Sequence, residues 1–139
     1  MIRAVIDTNV YVAALLSNQG APARLMSALG EGLFDAVACP HLLDELSSVL
    51  TRPKIAVHLA PGTAAEFIGW LARTAAIVPD PLAVPRVSPD PGDDYLIALA
   101  HAGRAQVVVS GDAHLLGLDI SDPRVLAPAA FAAVVVGLR

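Results

Sequence analysis

Short apolar runs alternate with longer segments of mixed polarity along the whole chain. The runs typical of buried strands lie at 2–7, 33–39, 75–79, 105–110 and 124–128. Apolar spacing and Pro or Gly boundaries predict helices at 9–16, 21–32, 40–51, 61–73, 93–102 and 129–138. A proline-rich loop is predicted at 79–92, and a short helix after "GDAH" at 111–114. Strand–helix alternation predicts an α/β fold with a central, mainly parallel sheet flanked by helices.

Length and composition narrow the class of protein. The 139 residues fit a single domain, 1–139, and 55% of them are hydrophobic. A mean hydropathy of +0.62 favours strands that are buried on both faces. The longest apolar run, 125–138, contains Pro128 and Gly137 and is shorter than the roughly 20 residues of a membrane span. We therefore expect no membrane span. Because Cys39 is the sole cysteine, we also expect no disulfide framework and a cytoplasmic location.

Acidic residues follow two predicted strands and open one predicted helix. Asp7 ends the first strand, Asp112 follows the strand "VVVS", and Asp93 and Asp94 begin the helix after the proline loop. Ligands of parallel α/β sheets bind at the carboxyl ends of the strands, so these acids should meet at one edge. Each acid alone is equally well explained as a helix cap. Together they would repel, and a hard divalent cation such as Mg²⁺ would relieve that repulsion.

The helix "HLLDELSSVL" carries one further candidate. Its apolar stripe runs along Leu42, Leu46 and Leu50 with their neighbours. Helical geometry points Asp44 away from that stripe and puts Glu45 at its flank. Glu45 is therefore the better candidate for reaching the acidic edge. A metal-loaded acidic pocket is suited to hydrolysis of phosphodiesters.

Four short motifs then resemble a known family in order and spacing. "VIDTNV" at 5–10, "ELSSVLTRPK" at 45–54, "DDYLIALA" at 93–100 and "VVSGDAHLL" at 108–116 are similar to the motifs of PIN-domain ribonucleases. The resemblance extends to "RVLAPAAF" at 124–131 and implies a PIN-like three-layer fold. It also implies a divalent-metal-dependent endoribonuclease that cleaves single-stranded or looped RNA. "RPK" is similar to the VapC-like branch, the toxins of toxin–antitoxin pairs.

The resemblance assigns roles to individual residues. It implies a catalytic quartet of Asp7, Glu45, Asp94 and Asp112. The metal ligands, for Mg²⁺ or Mn²⁺, would come from Asp7, Asp94, Asp112 and Asp93, and Asp90 stays open as an alternative. Asn9 and Ser110 would orient the carboxylates. Arg52 and Lys54 could contact the RNA backbone or lie in a solvated turn.

Partners and competing functions complete the expectations. If the chain belongs to a toxin pair, a small antitoxin would cover the acidic cleft. Excess apolar surface on alanine-rich helices favours a homodimer. The net charge of −4 requires any RNA contact to be local.

The alternatives to a ribonuclease are a non-catalytic PIN-like module that binds RNA or protein, and an aspartate-nucleophile phosphatase. The phosphatase is disfavoured because Asn9 stands where a second acid is usual and Lys54 is the only lysine.

Overall fold

The structure is a computed structural model, and it describes residues 1–138. Its elements follow one another in chain order: β1 (Arg3–Ile6), α1 (Thr8–Leu16), α2 (Ala21–Gly30), β2 (Asp35–Ala38), α3 (Pro40–Leu50), α4 (Pro53–Ala56), α5 (Thr63–Thr74), β3 (Ala76–Ile77), α6 (Pro91–Ala102), β4 (Val107–Val109), α7 (Ala113–Leu116), β5 (Arg124–Leu126) and α8 (Pro128–Val136). The predicted strands and helices are all present. The short helix α4 was not predicted, because one turn after Pro53 carries no periodic pattern.

The five strands form one parallel sheet in the order β3-β2-β1-β4-β5. β1 pairs with β2 on one side and with β4 on the other, in the register Val5↔Val37 and Val5↔Val108. The chain therefore moves outward in one direction through β2 and β3 and later in the other through β4 and β5. This reversal puts a topological switch point between β1 and β4, which is where open parallel sheets bind ligands.

The central strands are buried on both faces, as the composition predicted. Each residue of 4–6, 36–38 and 107–109 is buried in one hydrophobic core. α6 packs across β1, β2 and β4, while α2 packs against α1 and α8. Within residues 1–138, no helix combines the length and the apolar character that a bilayer crossing requires.

The turn from α6 into β4 depends on one glycine. A Cβ added at Gly103 would collide with the side chain of Val37 on β2. With any other residue at this position, α6 or the Val37 side chain would have to shift. α6 carries Asp93 and Asp94 in its first turn, and its packing on β1, β2 and β4 brings them to the sheet.

Candidate metal centre

Ser110 connects the carboxyl ends of the two central strands. Its buried hydroxyl donates to Asp7 Oδ2 at 2.8 Å and accepts the backbone N–H of Asp112 at 3.0 Å. Asp7 also caps α1, since its Oδ1 lies 3.4 Å from the backbone N of Asn9. The switch point thus holds two carboxylates, of Asp7 and Asp112, in a fixed relation through one serine.

Thr8 links Glu45 to this edge. Its Oγ1 lies 3.2 Å from Glu45 Oε1 and 3.4 Å from Asp7 Oδ1, so the two carboxylates share one hydroxyl donor. Asp44, one residue earlier on α3, is exposed and lies outside the cleft described below. Sequence reasoning did not single out Thr8. The signal available in the sequence was that Thr8 is a polar residue at the start of an almost wholly apolar helix. In the structure Thr8 is buried.

Asp94 faces the proline-rich loop instead of the sheet edge. Its Oδ1 accepts the backbone N–H groups of Val87 at 2.9 Å and Ser88 at 2.8 Å, and the Ser88 hydroxyl at 2.9 Å. These bonds, led by the one from Val87, lower the pKa of the Asp94 carboxyl. Asp94 therefore anchors the loop to α6, and it is not among the residues that line the acidic cleft.

Asp93 occupies the inward position expected for Asp94. Its side chain is buried, with 5% of its surface exposed, and Oδ2 has no hydrogen-bond partner among residues 1–138. Burial, followed by the nearby charges of Asp112, Asp90 and Asp7, raises the pKa of the Asp93 carboxyl. Carboxylate oxygens of Asp90, Asp93 and Asp112 lie within 4.8 Å of one another. An unpartnered buried carboxylate oxygen beside two other acids is a donor set that fits a hard divalent cation.

Together these side chains line an open recess of about 230 Å³, which we call the acidic cleft. Its lining residues are Asp7, Thr8, Asn9, Leu42, Glu45, Val49, Arg52, Asp90, Gly92, Asp93, Tyr95, Leu96 and Asp112. Seven of the residues singled out from sequence are thus brought together: Asp7, Asn9, Glu45, Arg52, Asp90, Asp93 and Asp112. Ser110 supports the cleft from beneath, whereas Lys54 lies on α4 outside the lining.

The remaining acid of the segment, Asp90, has a local structural role as well. It is the N-cap of α6, and its Oδ1 accepts the backbone N–H of Gly92 at 2.8 Å. Asp112 likewise caps α7 through the N–H of His114, as the capping explanation predicted for it. Capping leaves one oxygen of each carboxylate free of that bond and able to face the cleft.

Comparison with known proteins identifies the domain. The family model described as "PIN domain" matches residues 3–114, most of the chain. This chain belongs to the PIN-domain family. PIN domains are nuclease-type domains and generally hydrolases, which supports a hydrolase at that general level. The match confirms the family that the four motifs predicted, and the five-stranded parallel sheet flanked by helices confirms the α/β class.

Two individual proteins resemble this PIN domain. An uncharacterized protein of Methanocaldococcus jannaschii, MJ1680, is 26% identical over 117 residues, which cover 84% of this chain and 75% of that protein. The crystal structure of PAE2754 from Pyrobaculum aerophilum superposes with a TM-score of 0.61 and 14% sequence identity. That alignment covers 99% of this chain and 90% of the other, and it shows the likeness of fold.

Proposed function

We propose that this PIN domain is a divalent-metal-dependent endoribonuclease that cleaves single-stranded or looped RNA. The observation that carries the proposal is the buried Asp93 carboxylate, whose Oδ2 has no partner among the described residues and lies in a cluster with Asp90 and Asp112. A buried, unpaired carboxylate is costly unless a cation or a proton compensates it. Family membership favours the cation.

Asp7, Asp93 and Asp112 would hold Mg²⁺ or Mn²⁺, with Asp90 at the exposed side of the cluster. Bound there, the ion would activate water and stabilise the negative charge that develops on the scissile phosphate. We assign Asp94, which sequence reasoning put in this set, to the loop anchor instead, because the hydrogen bonds of its side chain are to Val87 and Ser88.

Two further side chains that line the acidic cleft, Glu45 and Arg52, have proposed roles that need no contact with the metal. Glu45 accepts a hydrogen bond from Thr8 at the cleft and would accept a proton from the attacking water. Arg52 also lines the cleft and is suited to an RNA phosphate. Lys54, on the neighbouring turn of helix, would contact RNA farther from the scissile bond.

Cleavage of a labelled single-stranded RNA tests this function. The wild-type protein is incubated with the RNA in Mg²⁺, in Mn²⁺ or in chelator, beside Asp93→Asn and the exposed control Asp44→Asn. We expect metal-dependent cleavage by the wild type and the control, and a loss of at least 100-fold in Asp93→Asn. Equal cleavage by Asp93→Asn, or cleavage that survives chelation, would refute the assignment. Intact RNA in every reaction with folded protein would favour a non-catalytic binding module.

The same cleft argues against the aspartate-nucleophile phosphatase. A phosphate would meet several acids at once, and the only lysine of the chain lies outside the cleft lining. Without a cation, like charges would repel such a substrate. A metal-dependent hydrolase accommodates the same acids.

The toxin role, the small antitoxin and the homodimer stay predictions of this proposal. Apolar side chains on the surface support protein partners: Leu82 and Val84 are exposed in the loop that leads to the cleft. α8 has no charged residue and exposes Val134 and Val136, a surface suited to a second copy. Mass measurement in solution, alone and with a co-expressed neighbouring open reading frame, tests both partners. A cytoplasmic location stays a prediction, based on the single cysteine, Cys39.

A further inference from the structure

A second recess adjoins the acidic cluster and differs from the cleft in character. This side pocket, of about 300 Å³, is lined by Pro89, Asp90, Asp93, His114 and Leu118. Asp90 and Asp93 line both recesses, so a molecule bound at the acids could enter either one. Its other walls come from the loop before α6 and from the α7 segment, and neither wall contributes an arginine or a lysine.

The walls of the side pocket suit a planar ring better than a phosphate. Pro89 and Leu118 present apolar surfaces, and the His114 side chain is 92% exposed. No aromatic ring among residues 1–138 stacks on that imidazole. A phosphate would meet two carboxylates there with no lysine or arginine, whereas a base has apolar faces and no charge. The volume is at the lower end for small-molecule sites, so it admits one base.

We propose that the side pocket binds the nucleobase adjacent to the scissile phosphate. This inference rests on the proposed nuclease function, because it is the phosphate at the acidic cluster that brings the neighbouring base within reach. The base packs against Leu118 and Pro89 on one side and the His114 ring on the other. Tight packing of one base makes the pocket a determinant of where the RNA is cut.

Abasic substitution tests the pocket separately from the chemistry. After the cleavage site is mapped, the same RNA is made with a single abasic sugar on the 5′ or the 3′ side of that bond. For the wild type we expect one of the two to lower kcat/KM by roughly 5- to 150-fold, the range for loss of one stacked base. We expect Leu118→Ala and His114→Ala to cut the intact RNA more slowly than the wild type does. In these variants the abasic substitution should lower kcat/KM only slightly further.

Matched variants separate stacking from other causes. Leu116→Ala removes an exposed leucine two residues away that does not line the pocket, and it should keep the wild-type abasic penalty. His114→Phe keeps a planar ring without a titratable group and should restore the penalty that His114→Ala loses. Because His114 is exposed, its variants remain informative even if Leu118→Ala unfolds.

The outcomes distinguish the two proposals. If the wild type cuts both abasic RNAs as fast as the intact RNA, the base subsite is overturned and the nuclease stands. An abasic penalty that is equal in the wild type and in all variants overturns it in the same way. If the folded wild type cuts no RNA with any metal, the nuclease function fails and the subsite fails with it.

Discussion

Asp93 and Asp94 are adjacent in the chain, and replacing each by Asn should have opposite effects on the free energy of unfolding. Two unit charges 4.8 Å apart, the limit for the Asp93 cluster, repel by about 0.9 kcal/mol in a dielectric of ~80 and by about 3.5 kcal/mol at ~20. Asp90 is exposed and salt screens it, so the lower half of that range applies. We expect Asp93→Asn to stabilise the metal-free protein by about 1–2 kcal/mol.

Asp94→Asn should lower the stability instead. The amide oxygen can still accept from Val87 and Ser88, but without the charge that strengthens those bonds. Because the folded pKa of Asp94 is lowered, its contribution is present at neutral pH and is lost as the pH falls through that pKa. Asp93→Asn and Asp94→Asn are chemically matched variants, because each replaces one buried carboxylate by one amide in the first turn of α6.

Thermal unfolding with and without Mn²⁺ measures both effects. At about 100 times its Kd, the ion should stabilise the wild type by about 2.7 kcal/mol. That corresponds to a rise in Tm of about 8 °C for a chain of this size. Asp94→Asn should keep that rise and Asp93→Asn should lose most of it. If Asp93→Asn is less stable than the wild type and still responds to Mn²⁺, while Asp94→Asn does not respond, the two roles have been assigned the wrong way round.

Three further changes test the surroundings of the cleft. Ser110→Ala removes the hydroxyl between the two central strands and should weaken Mn²⁺ binding by about 10- to 100-fold, measured by calorimetry; unchanged affinity would contradict its supporting role. Glu45→Gln should lower kcat at least 100-fold with Mn²⁺ affinity nearly intact, whereas Asp44→Asn should match the wild type in both. Asp80 accepts the backbone N–H of His41 at 2.9 Å in the first turn of α3, and that bond lowers its pKa. Asp80→Asn should therefore reduce stability at neutral pH, with the difference vanishing as denaturation curves are taken to acidic pH.

The sheet-edge rule explains why much of the site could be predicted from sequence. In a parallel sheet the residue after each strand comes to one edge, so Asp7 and Asp112 could be brought together without coordinates. The angular position of Glu45 around α3 was enough to predict that it faces the site. This was possible because α3 has a distinct apolar stripe, with Leu42, Leu46 and Leu50 buried. These inferences use only local periodicity and chain direction, which are properties of the sequence.

The same reasoning could not separate Asp93 from Asp94. α6 is buried nearly all round, from Leu96 to Ala100, so it has no single stripe that fixes the rotation of its first turn. Both carboxylates are buried, and the difference between them is the partner of each. The partner of Asp94 is the backbone of a proline-rich loop, whose path depends on tertiary packing and not on local pattern. Thr8 was missed for a related reason, since its contact with Glu45 joins residues 37 positions apart.

The three acids of "SPDPGDDYLIALAHA" therefore differ in what they contribute to the domain. Asp90 caps α6 and Asp94 ties the loop to it, so both stabilise the fold through bonds that are present without any ion. Asp93 has one buried oxygen with no partner among residues 1–138, and its neighbours are like charges. Caps and a loop anchor hold that carboxylate beside its like-charged neighbours, and a bound cation would offset the free energy that this repulsion costs the metal-free fold. The proposed metal-dependent hydrolase requires such an effect of its cation, and the response of Asp93→Asn to Mn²⁺ therefore tests the proposed function directly.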